Sequence, residues 1–291
     1  MTMALNRNSN VYTVIYAVVL TALVAVLLTV AAVGLKDLQD ANAANEKKQQ
    51  ILSSVSEALG KEVTFSNAAD IWSELKMDES LFAVDVNGNK LEGVNAFELV
   101  AKQQFKAGSV KEDAQLPVFV ANINGKDYYI MCMYGAGLWD AIWGFIAVEA
   151  DGSTIAGASF DHAGETAGLG AKIKDDPEFA KAFIGKQVFV DGAFAPVVVS
   201  KKNVSNKVDA ITGATKTSDC VSVMVRESLK GYEKFLSGIA APTACPAEQT
   251  CCQKAEGECC GQCEQACEGQ CENECETTCQ EVCENVEPEN N

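Results

Sequence analysis

Phe145-Ile-Ala-Val-Glu-Ala-Asp-Gly152 decides the fold, because a short apolar run here ends in an Asp-Gly pair. Asp-Gly and Asn-Gly fit the positive φ angles of tight hairpin turns. The arrangement recurs where Leu81-Phe-Ala-Val-Asp85 precedes Asn87–Gly88, and again at Asn124–Gly125. Strands joined by such turns run antiparallel. Residues 62–200 are therefore predicted to form short strands in a largely antiparallel sheet.

Two helical patterns accompany these strands. Asp176 to Gly185 is predicted to form a short helix with Pro177 in its first turn. Thr217 to Gly238 has the apolar spacing of an amphipathic helix and ends at a glycine. Strands and helices in this arrangement predict the α+β class, with one globular domain over residues 61–240.

The N-terminal region has the composition of a membrane anchor. Residues 11–35 form an uncharged run, long enough as a helix to cross the hydrocarbon core of about 30 Å. A cleaved signal peptide is the alternative, although its apolar stretch is shorter, about 7–15 residues. Residues 1–10 form a short leading segment, and residues 36–60 are predicted to continue the helix as a stalk. Arg7 before the span gives a weak positive-inside signal, which favours the N-terminus inside and the domain outside.

Charge and cysteine are concentrated in the last 51 residues. The formal net charge is -17, which excludes nucleic acid as a natural partner. Most of that charge lies in residues 241–291, which hold twelve Glu and one Lys. Eleven of the 13 Cys lie there too, six of them at four-residue intervals from Cys263 to Cys283. A Cys- and Glu-rich low-complexity tail is therefore predicted.

The role of this tail stays open between three interpretations. An acidic low-complexity extension is one. Binding of a soft metal is another, with Cys259, Cys260, Cys263 and Cys267 as candidate ligands. Thiol or disulfide chemistry is the third. Two isolated cysteines before the tail, Cys132 and Cys220, are predicted to be packing residues.

Asp209-Ala-Ile-Thr-Gly-Ala-Thr215 carries the functional prediction. The stretch is a loop of small residues that opens onto a predicted helix. Gly213 and Ala214 allow close approach of a bulky anion, and the N–H groups and dipole at a helix start favour a phosphate. Thr212 and Thr215 place hydroxyls on either side. An ordinary helix cap is the alternative interpretation of the same residues.

This motif resembles the target site of the flavin transferase that links FMN to protein. The resemblance implies that Thr215 bonds to the FMN phosphate and that Asp209, Thr212, Gly213 and Ala214 form the surrounding motif. Thr212 stands where Ser is common in that family. The implied cofactor is thus covalently attached FMN.

A second stretch, His162-Ala-Gly-Glu-Thr-Ala-Gly-Leu-Gly170, is similar to a loop of the same FMN-binding domain, with Ala167 in place of the usual Pro. The resemblance implies FMN contacts from Glu165, Thr166, Gly168, Leu169 and Gly170. His162 is expected to be a loop or packing residue. Trp139 is expected to pack in the core, with a place near the flavin ring as the alternative.

Residues 10–240 resemble two related families, the C subunits of the sodium-translocating NADH:quinone reductases and the G subunits of the ferredoxin-linked Rnf complexes. Val33-Gly-Leu-Lys36, Gln49-Gln-Ile-Leu52 and Gly137-Leu-Trp139 are closer to the first. The resemblance implies an electron-transfer subunit in a bacterial inner (cytoplasmic) membrane, crossing it once. Its implied partners are other subunits of a multisubunit redox complex and a flavin transferase. A membrane-tethered metal-binding or sensory protein that uses the tail is the alternative, as is an independent extracytoplasmic flavin reductase.

Overall fold

The computed structural model describes residues 10–106 and 108–240. The predicted tail lies outside the described residues, and with it the candidate metal ligands Cys259, Cys260, Cys263 and Cys267. The leading segment 1–9 lies outside them as well.

The described chain combines helices and strands. The helices are α1 (Asn10–Ser53), α2 (Ser56–Leu59), α3 (Ala68–Glu74), α4 (Ala101–Gln104), α5 (Lys172–Asp175), α6 (Pro177–Lys181) and α7 (Thr215–Ala240). The strands are β1 (Leu81–Val84), β2 (Lys90–Leu91), β3 (Phe105–Lys106), β4 (Ser109–Val110), β5 (Leu116–Ile123), β6 (Lys126–Ala136), β7 (Ala141–Glu149), β8 (Ile155–His162), β9 (Phe189–Val190), β10 (Ala193–Phe194), β11 (Val198–Ser200) and β12 (Lys207–Asp209).

A six-stranded sheet forms the centre of the domain, in the order β2-β1-β5-β6-β7-β8. Every neighbouring pair in it is antiparallel. The predicted glycine turns lie between its strands: Asn124 and Gly125 have φ of 54° and 81°, and Gly88 and Gly152 also have positive φ. The predicted α+β fold with a largely antiparallel sheet is thus confirmed.

The two faces of the sheet pack against different helices. On one face, β5–β8 meet α7 through apolar side chains such as Met131, Ile146 and Leu229. On the other, the end of α1 and α3 meet the sheet through Ile51 and Trp72, among others. Side chains of successive strand residues point to opposite faces. Because both faces are covered, β5 to β7 carry apolar residues on both sides, which explains their nearly continuous burial.

Helix α1 extends from the predicted span into the domain without interruption. Its 44 residues correspond to about 66 Å. Among the described residues, α1 is the one helix that is long and apolar enough to cross a membrane, and no residue of its most apolar stretch is buried. The helix predicted over residues 36–60 ends at Ser53, however, and a short turn precedes α2. The continuous helix is thus shorter than predicted, and Ile51 and Leu52 in its last turn are fully buried against the domain.

Two short strands, β11 and β12, precede α7 and pack against it. Strands β11 and β12 pair in parallel, and Val199 N–H donates to Ser222 Oγ of α7 at 3.2 Å. Strand β12 ends at Asp209, and α7 begins at Thr215. The predicted motif of residues 209–215 is therefore the connection between β12 and α7, the helix that packs on one face of the sheet.

Candidate functional site

The turn between β12 and α7 has a defined backbone shape. Gly213 has a φ of +83°, a left-handed conformation that favours glycine. The N–H of Ala214 donates to the carbonyl of Ile211 at 3.1 Å. Ser218 closes the turn, because its Oγ donates to the carbonyl of Ala214 and accepts from the N–H of Ile211, each at 3.0 Å. This arrangement presents Thr215 as the first residue of α7.

Two hydroxyl side chains of this turn face solvent. Thr212 and Thr215 are exposed, whereas Ala214 is buried. Across the described part of the chain, neither threonine side chain makes a hydrogen bond. The N–H groups that begin a helix have no preceding helical carbonyl as acceptor. The first turn of α7 therefore offers an exposed hydroxyl beside N–H donors, a combination suited to an anionic ester.

Asp209 faces its own strand. Its Oδ1 accepts from Lys207 Nζ at 2.8 Å. The hydrogen bond and the charge of this lysine lower the pKa of the Asp209 carboxyl. The carboxylate makes no hydrogen bond to the rest of the turn in the part of the chain described. The Asp209 side chain is thus directed toward Lys207 of its own strand and away from the turn that holds Thr215.

Glu165 is a buried carboxylate in the second motif, with 7 % of the residue exposed. Its Oε1 accepts from the N–H of Leu138 at 2.7 Å and from the N–H of Trp139 at 3.1 Å. Its Oε2 accepts from the hydroxyl of Thr217 at 2.7 Å. A carboxylate withdrawn from water needs such donors. Glu165 therefore joins the loop after β8, the tip of the β6–β7 hairpin and the first turn of α7.

The two predicted motifs contact each other. A Cβ added at Gly213 would lie 3.0 Å from Cδ2 of Leu169, so the leucine lies directly over the turn that precedes Thr215. Thr166 Oγ1 accepts from the indole Nε1 of Trp139 at 3.1 Å. The loop of residues 163–170 thus connects the turn before α7 with the hairpin tip.

A cavity of about 540 Å³ lies between the β6–β7 hairpin and α7. Trp139, Asp140, Cys220 and Val223 are among the residues that line it. Burial raises the pKa of the Cys220 thiol, and the charge of Glu165 adds to this effect. Two further clefts, of about 340 and 360 Å³, lie beside the end of α1 instead.

The expectation that Trp139 packs in the core is wrong. The residue is 70 % exposed, because it lies at the tip of the hairpin, beyond the paired residues Ala136 and Ala141. Leu138, Leu169 and Val223 are also large apolar residues with exposed surface. These four residues, hereafter the apolar patch, were not identified as a group from the sequence. Only the Gly-Leu-Trp stretch gave a signal for them.

His162 has a local role, as expected. Its Nδ1 accepts from the N–H of Glu165 at 3.2 Å, and its own N–H donates to Asp161 at 2.8 Å. Thr217 is a residue that sequence reasoning missed, because its partner Glu165 lies 52 positions away in the chain. Gly168 has a φ of +74° and open space around it. Gly170 lies against Glu165.

Comparison with known proteins gives a consistent result. A family model described as an FMN-binding domain matches residues 137–230, which include both motifs. A crystal structure of the C subunit of Na(+)-translocating NADH-quinone reductase from Parabacteroides distasonis is 42 % identical, with a TM-score of 0.62. The match covers 70 % of this chain and 97 % of that one. The chain belongs to the family of C subunits of Na(+)-translocating NADH-quinone reductases.

More distant members of this C subunit family match over a similar length. The Vibrio anguillarum protein is 28 % identical over 232 residues, covering 75 % of this chain and 90 % of its own. The Haemophilus ducreyi protein is 29 % identical over 230 residues, covering 73 % of this chain and 87 % of its own. Between the two families that the sequence resembles, the first is thus confirmed. As a member of the C subunit family, the chain contains an FMN-binding domain behind an N-terminal apolar helix.

Proposed function

We propose that this chain carries electrons in a sodium-translocating NADH:quinone reductase, on FMN that is joined through its phosphate to Thr215. One observation carries the proposal. The exposed hydroxyl of Thr215 is the first side chain of α7, and the turn that holds it lies under Leu169, a residue of the apolar patch. The FMN-binding domain supplies the identity of the cofactor.

The residues around Thr215 fit a phosphate. Gly213 and Ala214 have small side chains, so a phosphate can approach the backbone at the start of α7 closely. The N–H groups of the first turn of α7 donate toward the anion, and the helix dipole contributes further attraction. Ser218 and Thr217 use their hydroxyls for hydrogen bonds within the protein. Thr215 therefore remains the hydroxyl at the helix start that is available for the ester.

The apolar patch and the adjoining cavity fit the ring system. An exposed tryptophan that lines a cavity together with exposed Val223 is typical of a surface that a ligand covers. Trp139 offers a flat face, and its indole N–H is held by Thr166. Bound FMN supplies the one-electron chemistry. The chain's own residues hold the ring in one place, exclude water from one side of it and prevent its loss by diffusion.

The other steps of the overall reaction belong to partner subunits in this proposal. No glycine-rich dinucleotide fingerprint follows a strand in the sequence, so NADH is expected to bind elsewhere. One apolar helix among the described residues is not a plausible path for sodium. A flavin transferase is expected to attach the FMN. We place the domain on the extracytoplasmic side of the inner membrane, with the N-terminus inside, as the weak charge asymmetry favours.

Quinone reductase activity of the assembled complex tests the proposal. Thr215→Ala removes the hydroxyl, and we expect it to abolish both linked flavin and NADH-dependent quinone reduction. Thr215→Ser retains a hydroxyl and is expected to retain both. Thr212→Ser, three residues earlier, is the matched control and is expected to behave as the natural chain does. Full activity in the Thr215→Ala complex would refute the proposal.

A further inference from the structure

Both oxygens of the Glu165 carboxylate are occupied by donors from the protein. The N–H groups of Leu138 and Trp139 and the hydroxyl of Thr217 supply three hydrogen bonds of 2.7–3.1 Å. The residue is 7 % exposed, so little of it can reach a ligand. Hydrogen bonds to a charged acceptor are stronger than those between neutral groups. The carboxylate thus links three segments of the chain to one another, and it has little surface left to contact a cofactor.

Two glycines make room for this carboxylate. A Cβ at Gly137 would lie 2.5 Å from Oε1 of Glu165, closer than atoms approach without a bond. A Cβ at Gly170 would overlap Oε2 of the same carboxylate. Neither glycine has a positive φ, so the requirement for glycine comes from space and not from backbone conformation. A Cβ at Gly137 would also lie 2.6 Å from the carbonyl oxygen of Asp140, so both the carboxylate and the backbone of the tip leave room only for glycine at this position.

The tip of the β6–β7 hairpin has few other attachments. Gly137 N–H donates to the carbonyl of Asp140 at 2.8 Å within the tip itself. The indole of Trp139 donates to Thr166, on the loop that also carries Glu165. In the described part of the chain, the backbone N–H groups of Leu138 and Trp139 have Glu165 as their acceptor. Removal of the carboxylate therefore releases the backbone that sets the position of the indole.

We infer that Glu165 is a positioning residue that fixes the Trp139 hairpin tip against the first turn of α7 and does not contact the flavin. The spacing between the indole and the start of α7 then depends on this one side chain. The inference rests on the proposed function only in one respect, namely that Trp139 and Thr215 hold the flavin. The position of Trp139 is a property of the chain with or without FMN.

Fluorine NMR of the full-length chain in detergent tests the inference without flavin. The chain is labelled with 5-fluorotryptophan and produced without a flavin transferase. It has three tryptophans, and Trp139→Phe identifies the Trp139 signal. Signals of the buried Trp72 and the partly buried Trp143 report whether each variant is folded. The variants are Glu165→Ala, Glu165→Gln and, as the matched control, Asp175→Asn, which removes an exposed carboxylate on α5 whose side chain makes no hydrogen bond within the described residues.

We expect Glu165→Ala to move or broaden the Trp139 signal while the other two signals stay in place. Glu165→Gln retains an oxygen that accepts from both N–H groups, so the Trp139 signal is expected to remain near its natural position. Hydrogen exchange in the segment 137–141 is expected to accelerate by about tenfold in Glu165→Ala, equivalent to about 1.4 kcal/mol. Asp175→Asn is expected to change neither measurement. An unchanged Trp139 signal and exchange rate in Glu165→Ala would overturn the inference.

The flavin-loaded chain provides a second measurement that separates the two proposals. If Glu165 acts by position, Glu165→Gln preserves the flavin reduction potential and Glu165→Ala alters the quenching of flavin fluorescence by Trp139. Equal shifts of the potential in both variants, with an undisturbed Trp139 signal in the flavin-free chain, would show direct action on the flavin and contradict the inference. Failure to find flavin on Thr215 would refute the proposed function and leave the flavin-free result standing.

Discussion

Trp139 is the residue whose exposure bears most directly on the site. A large aromatic side chain that is 70 % exposed and lines a cavity with exposed Val223 forms a surface that a ligand or partner usually covers. Its contact with Thr166 limits the orientation of the indole. In our account the flavin ring covers this indole.

Replacement of Trp139 therefore tests where the ring lies. Trp139→Ala is expected to raise the fluorescence of the linked flavin severalfold, because stacked aromatic side chains quench flavin emission, while the amount of linked flavin stays the same. Trp143→Phe, at a partly buried strand position, is the matched control and is expected to leave the emission unchanged. Equal emission from the natural chain and Trp139→Ala would place the ring elsewhere.

Gly213 should be needed for the shape of the attachment turn. Its φ of +83° is costly for a residue with a Cβ, and that Cβ would press on Leu169. Gly213→Ala is expected to lower the free energy of unfolding by about 1–2 kcal/mol and to reduce flavin attachment. Chemical denaturation and flavin yield are the measurements. Gly238→Ala, in α7 with open space around it, is the control and should leave stability unchanged or raise it by up to about 1 kcal/mol.

At the scale of single residues, the sequence singled out the turn before α7, where we propose that FMN is attached, but not the residues around it. Thr215 lies in a contiguous motif, so the pattern is complete within seven residues. The partners of Glu165 come from positions 138, 139 and 217, which only the folded sheet brings together. Exposure of Trp139 could not be predicted either, because it depends on where strand pairing ends.

Among the elements, α1 is fixed to the domain by a small set of polar contacts. Gln50 Nε2 donates to Asp161 at 2.8 Å, and Trp143 Nε1 donates to Gln50 Oε1 at 3.3 Å. Asp161 also pairs with Lys174 at 2.8 Å. Helix α1, which contains the predicted membrane span, therefore ends on the sheet next to β8, the strand that leads to Glu165.

Loss of the Gln50 side chain should weaken this attachment. Gln50→Ala leaves a buried carboxylate and an indole N–H with fewer partners, so the free energy of unfolding is expected to fall by about 1–3 kcal/mol. Denaturant unfolding of the full chain in detergent measures the change. Gln49→Ala is the neighbouring control, since its side chain makes no hydrogen bond within the described residues. Equal stabilities of the two variants would contradict the assigned role of Gln50.

Strand β6 and helix α7 are joined by Cys132 and Tyr232. Tyr232 donates to the carbonyl of Pro117 at 2.9 Å and contacts the Cys132 thiol at 3.3 Å. Burial raises the pKa of Cys132 from 9.0 to about 11. The unfolded thiol loses its proton at a lower pH than the folded one. The contribution of Cys132 to the free energy of unfolding is therefore complete below pH 9 and is lost as the pH rises to 11.

Stability at alkaline pH should therefore depend on Cys132. Between pH 9 and pH 11, the free energy of unfolding of the natural chain is expected to fall by about 2–3 kcal/mol more than that of Cys132→Ser. The serine hydroxyl can still donate to Tyr232 but does not titrate in this range. Unfolding curves at pH 8, 9, 10 and 11 give the comparison, with Cys220→Ser as the control for the half-buried thiol. Parallel pH profiles for the natural chain and Cys132→Ser would contradict the assigned cause.

Element boundaries were predictable where local chemistry sets them. The Asn124–Gly125 turn and the Asp176–Pro177 helix start occur as predicted, because positive φ and the proline ring act within one or two residues. The end of α1 at Ser53 was not predicted. The residue that follows packs closely on β8, where a Cβ at Gly157 would overlap the carbonyl of Ser54, and this distant contact has no signal in the local sequence. Tertiary packing here overrides a helical pattern that continues to Leu59.

At the scale of the whole molecule, the described residues comprise one long apolar helix that leads into a domain with the sheet between two helical layers. The fold class followed from the turns and the helical periodicity, while the contact between the two flavin motifs required the structure. A domain on the extracytoplasmic side predicts that protease added to spheroplasts removes residues 61–240 and leaves cytoplasmic proteins intact. Protection of the domain until the membrane is opened would reverse the proposed orientation.

The central claim is tested most directly by mass spectrometry of the flavin-linked peptide. Trypsin cleaves after Lys207 and Lys216 and releases residues 208–216, which contain both Thr212 and Thr215. The chain is co-produced with a flavin transferase, digested after denaturation, and the peptide is fragmented to locate the added mass. We predict an addition equal to FMN less one water on Thr215, absent from Thr215→Ala. An unmodified peptide despite an active transferase, or flavin located on Thr212, would contradict the account.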